Sequence, residues 1–105
     1  MRVELTEVLW LEEHRLSLAE LAALSGLSES ELEELLGCGA ITPLADLPHS
    51  FGAAALHSAR IARRLRDDFE LDATALTVVM GLVLRVEGLE QQLREMRALA
   101  SRPLR

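Results

Sequence analysis

Leucines and alanines along this chain fall into stretches of helical rhythm separated by polar or glycine-containing breaks, and the first clear stretch runs from Ser17 to Pro43. Ala22 stands four residues before Gly26 with Leu21 alongside, while Leu27, Leu32 and Leu35 follow one, six and nine residues after it. A small alanine lets two helices cross closely, glycine supplies the turn backbone and the leucines join the pair, which is the spacing of a helix-turn-helix over 17–39. Each helix has its own start signal. Ser17 with Glu20 and Ser28 with Glu31 form capping boxes, in which the serine oxygen accepts from a first-turn amide and the glutamate returns to the serine amide. Helices are therefore predicted over 18–25 and 29–37. Gly37 and Gly39 offer a left-handed exit, and Pro43 forbids continuation.

Residues 40–52 hold Pro43, Pro48 and alternating apolar positions, with no Lys or Arg. They read as a wing-like segment, either a small hairpin or, as we favour, an irregular loop closing the core with Ile41, Leu44, Leu47 and Phe51. A third helix is predicted over 53–69, ending by residue 70, because Ala55, Ala59, Ala62, Leu65 and Phe69 recur at three and four residues. Its other face carries Arg60, Arg63, Arg64 and Arg66, followed four residues after the last three by Asp67, Asp68 and Glu70. Pairs at that spacing can neutralise most of the cluster on its own helix.

Asp72 is a natural N-cap for a last helix over 73–100. Nothing between Ala75 and Leu84 is charged, which is too short a run to span a bilayer and too long for one exposed helix face, so this half is expected to be covered on several sides. Beyond it Leu82, Val86, Leu89, Leu93, Met96 and Ala100 alternate spacings of four and three, flanked by Arg85, Glu87, Glu90, Arg94, Glu95 and Arg97. That is a coiled-coil seam. No second helix of matching length remains in the chain, so a homodimer is expected, with Val79, Leu82, Val86, Leu89, Leu93 and Met96 at the interface. Gly81 and Gly88 weaken the helix and mark a bend or a close crossing.

Residues 1–16 fit either a short strand at Val3 and Leu5 or a helix beginning near Val8, and only the packing of Trp10 is expected with either. The start, Met1 to Glu7, has neither a cationic leader nor an uninterrupted apolar run, so no signal peptide and a cytoplasmic location are expected. A lone Cys38 fits a reducing compartment. The length of 105 residues suits a single domain.

Charge decides what the helix-turn-helix can meet. In DNA-binding proteins of this architecture the second helix enters the major groove, led by its N-terminal residues. Here that surface reads Glu29, Ser30, Glu31, Glu33, Glu34, and the whole chain has 11 basic against 17 acidic residues, a net charge of -6. Carboxylates repel a polyanion, whereas a reader of duplex needs Arg, Lys, Asn or Gln. No specific DNA binding is expected.

Catalytic chemistry finds no foothold. His14, His49 and His57 lie far apart and out of phase with Cys38, so no metal-ligand spacing exists, and there is no phosphate loop, nucleophile elbow or paired-carboxylate motif. A binding module with no cofactor and no metal is expected.

The order of elements, with Gly37-Cys38-Gly39-Ala40-Ile41-Thr42-Pro43 at the exit, a one-helix return and a leucine-seamed last helix, resembles the MerR superfamily. More narrowly it resembles the CbpM family of chaperone modulators, through Ser28-Glu29 with Leu32 and Leu36, the Gly39–Pro43 exit, Phe51, the Arg60–Arg66 stretch, Leu71-Asp72, and Leu89 with Leu93. The resemblance implies an all-α fold with room for one small β-hairpin wing, and a protein that binds the J-domain of a CbpA-type, DnaJ-like co-chaperone. It implies that such binding blocks stimulation of DnaK and restrains the co-chaperone's DNA binding. J-domains present a basic helix, so from charge alone the partner-binding candidates are Glu29, Glu33 and Glu34 on the second helix, or Asp67, Asp68 and Glu70 around Phe69. The alternative functional reading is a MerR-type DNA-binding transcription regulator.

Overall fold

The computed structural model describes residues 15–101, and the candidate packing of Trp10 lies outside them. Four helices follow one another: α1 (Leu18–Ser25), α2 (Glu29–Gly37), α3 (Ala53–Phe69) and α4 (Ala73–Ala100). The fold is all-α. Both capping boxes form, with Ser17 Oγ accepting from the Glu20 amide and Ser28 Oγ from the Glu31 amide, each at 3.1 Å. Asp72 caps α4 by accepting from the Ala75 amide at 2.8 Å. These short-range bonds satisfy amides that a helix start otherwise leaves without partners, which is why the ends fall where the side chains place them.

The turn between α1 and α2 depends on Gly26, which closes α1 in the left-handed region at φ 85° while its amide donates to the Ala22 carbonyl at 3.0 Å. A Cβ there would stand 3.2 Å from Arg63 Nε of α3, so both conformation and space favour glycine. Buried Ser25 completes the turn, its hydroxyl accepting from the Leu27 amide at 3.2 Å.

Leu16, Leu21, Leu27, Leu32 and Leu35 from the motif meet Ile41, Phe51, Ala55, Leu56, Ala59, Ala62, Leu76 and Met80 in one core. The alanines of α3 let α1 lie close against it, and α1 packs on α3 while α2 packs on the start of α4. Within 40–52 the closing role is divided. Ile41 and Phe51 are buried, whereas Leu44 and Leu47 are half-buried and face each other across an isolated antiparallel bridge. A second bridge joins Phe51 to Leu16, with Leu16 N donating to Phe51 O at 2.9 Å and the reverse bond at 2.8 Å. No strand forms among the described residues, so the segment is a loop tied at two points and no hairpin wing.

Three sequence expectations need correction. Phe69, placed on the core face of α3 by its spacing, is 67% exposed, because the core ends near Leu65 and Phe69 is the last residue of the helix. Leu56 takes a core position that the spacing did not single out. The uncharged run 75–84 is not covered on several sides within the chain: Leu76 and Met80 are buried, Ala75, Thr77, Val79, Val83 and Leu84 are half-buried, and Val78 and Leu82 are exposed. One helix face against the body accounts for all the cover this run receives.

Candidate functional site

From Arg85 to Ala100 every residue of α4 is exposed, so the outer half of this helix leaves the body altogether. At about 1.5 Å per residue that overhang is about 24 Å long. Its apolar seam points to solvent: Leu82, Val86, Leu89, Leu93 and Met96 are all exposed, with Leu89 at 50% and Leu93 at 46%, while Val79 is half-buried where the seam reaches the body. Two further apolar residues, Val78 and Leu99, stand exposed beside the seam. A continuous apolar stripe of this kind on a small protein is the signature of a docking surface.

The outward face of α2 is a second surface. Leu32 and Leu35 are buried beneath it, and the helical turn then places Glu29, Glu33 and Glu34 together on the exposed side. Glu31 differs from them. One of its carboxylate oxygens, Oε1, accepts from the Ser28 amide at 3.0 Å and from Arg66 of α3 at 2.7 Å. Burial alone pushes this carboxyl up, but the Ser28 amide and the Arg66 guanidinium outweigh it and hold Glu31 below its ordinary value near 4.5. Arg66 is in turn raised, first by its hydrogen bond to Glu31 and then by that to Asp67.

Arg66 was expected to pair with Glu70 one turn on; it reaches Glu31 and Asp67 instead, the latter at 2.9 Å. Arg63 pairs with Asp67 at 3.0 Å as the spacing predicts, while Arg64 and Asp68 form no ion pair with each other among the described residues. Arg66 thus ties α2 to the end of α3 through Glu31 and Asp67, and none of Glu29, Glu33 and Glu34 takes part in that link. Asp67 is compensated by two arginines. Asp68 and Glu70 are exposed on either side of Phe69, and Glu70 ends α3 in the left-handed region at φ 50°. Sequence spacing could not have found the Arg66–Glu31 bond, since its partners are 35 residues apart.

The bridge makes a testable contribution to stability. A carboxylate whose folded pKa is depressed adds stability that is complete above its unfolded value and lost as pH falls through the folded one. Replacing Glu31 by Gln, which keeps an oxygen for the Ser28 amide, is expected to destabilise the fold by about 0.5–1 kcal/mol at neutral pH, the size of a part-buried ion pair. The difference from wild type should shrink in urea titrations as pH falls through the depressed folded pKa of Glu31.

A family profile of MerR HTH family regulatory proteins matches residues 16–98, from the Leu16–Phe51 bridge to the outer turns of α4. The chain belongs to the MerR HTH family. No curated protein matches it. In this MerR-family domain α1 and α2 are the helix-turn-helix, and α2 is the helix that exposes Glu29, Glu33 and Glu34 and carries no cation. Among the described residues no three His, Cys, Asp or Glu side chains come together as metal ligands, and no helix is long and apolar enough to cross a membrane.

Proposed function

We propose that this protein is a non-enzymatic, cytoplasmic chaperone modulator of CbpM type, which binds the J-domain of a CbpA-like co-chaperone through the acidic face of α2 and acts as a homodimer joined along α4. The observation that carries the reading is the face formed by Glu29, Glu33 and Glu34, the surface a DNA-binding relative would turn toward phosphates. A basic protein helix is the complementary ligand, and occupying the J-domain's positive helix would block its stimulation of DnaK. Restraint of the co-chaperone's own DNA binding would follow from the same complex.

The testing experiment titrates the purified protein into a CbpA-type J-domain and follows DnaK ATPase stimulation. Saturable binding with loss of stimulation is the expected result; no complex at micromolar concentration would refute the reading. The MerR family match by itself fits a DNA-binding regulator equally well, and the charge on α2 is what tells against it. Labelled duplex at low salt is the severe test, since weak screening exaggerates any attraction. No saturable, sequence-discriminating binding is expected there.

A further inference from the structure

Carboxylates on α2 can draw a basic partner in, but exposed charges at the margin of a contact set the rate of association far more than the lifetime of the complex. A lasting complex needs an apolar anchor. Outside α4, two large apolar side chains are exposed among the described residues, Leu24 and Phe69. We propose that Phe69 is that anchor, inserted into an apolar recess rimmed by lysine or arginine on the J-domain. The inference rests on the J-domain reading above and adds the contact that holds the complex together.

Surroundings decide between the two side chains. The Leu24 carbonyl accepts from Arg60 Nε at 3.5 Å, so a cation already stands beside it and a basic partner is repelled there. Phe69, the last residue of α3, has exposed Asp68 before it and exposed Glu70 after it. Neither acid joins an ion pair among the described residues, whereas Arg63 and Arg66 are taken by Asp67 and Glu31. A ring between two uncompensated carboxylates matches a recess with a cationic rim, since the ring is buried while the carboxylates stay at the wet margin.

Reach and backbone agree with this. The Glu31–Arg66 bond holds the start of α2 to the end of α3. Glu29 is two residues from Glu31 and Phe69 three from Arg66, so the steering face and the anchor lie within roughly 20 Å, inside a standard interface of about 800 Å² per partner. Glu70 ends α3 in the left-handed region at φ 50°, where glycine is the unstrained residue. A glutamate there costs stability and places a charge next to the ring.

The test immobilises this protein and passes a CbpA-type J-domain over it. Phe69→Ala should raise the dissociation rate about 10- to 100-fold and leave the association rate and its salt dependence as in wild type. Phe69→Leu should recover most of the lifetime, and both variants should melt and sediment as wild type does. Glu70→Gly should melt at a higher temperature than wild type and still bind severalfold more weakly, a split that a purely structural role for Glu70 does not produce. If Phe69→Ala melts earlier, the ring belongs to its own chain's packing; if it changes oligomeric state, a second copy covers it. Either result, or a wild-type dissociation rate, would overturn the anchor and leave the J-domain reading standing. A wild type that forms no complex with the J-domain at micromolar concentration would overturn both.

Discussion

Leu89→Glu with Leu93→Glu is expected to give monomers whose body remains folded. Both leucines are exposed and lie outside the core formed by the described residues, so no core contact is lost with them. In a dimer the four side chains, each about half exposed beforehand, would recover about 1 kcal/mol apiece on burial, and losing about 4 kcal/mol raises Kd about a thousandfold. Four carboxylates in a dry seam add a further penalty. Helicity should fall as well, because a stretch this short with Gly88 inside it is marginal in water without a packing partner. Sedimentation equilibrium with circular dichroism measures both effects. A wild type that is already monomeric at micromolar concentration would remove the premise.

Reversal of Glu29, Glu33 and Glu34 to Lys is the second large effect expected, and it falls on kinetics. All three side chains are exposed, so the fold should tolerate the change apart from a few tenths of a kcal/mol for a cation at the positive start of α2. Steered association depends on complementary fields, so the rate constant for binding the J-domain should drop by about 10- to 100-fold at low salt. The variant's rate should also lose its fall with ionic strength. Stopped-flow mixing across a salt series measures both. A triple variant that binds as fast and as tightly as wild type would move the interface to the neighbouring Asp68 and Glu70, with Asp67 in third place because Arg63 and Arg66 already hold it.

The helices were legible because each starts with a residue whose side chain satisfies its own first turn. Ser17, Ser28 and Asp72 act over three residues, a range that sequence exposes fully. The seam of α4 was legible for a related reason, since none of the described residues covers it. What spacing misjudged were matters decided across the fold. Phe69 has the right phase for the core and lies past its edge. Arg66 has a carboxylate one turn away at Glu70 and prefers Glu31, brought near by the packing of the motif on α3. The wing segment had the alternation of a hairpin, but its prolines and the two tie points leave it without a ladder. The acidic face was readable in composition; the tie from Glu31 beside it to the end of α3 was not.

On α2 the residues that build the helix and those that would choose a ligand do not overlap. Ser28, Glu31, Leu32 and Leu35 cap it, bolt it to α3 and bury it, whereas Glu29, Glu33 and Glu34 take no part in any of these tasks. A lineage could therefore exchange a polyanion for a basic protein as its target through three surface codons, with stability nearly untouched at every intermediate. Glu31 is the one acid on this helix that such drift would have to spare, and a descendant returned to nucleic acid should still carry it, hidden beneath a basic face.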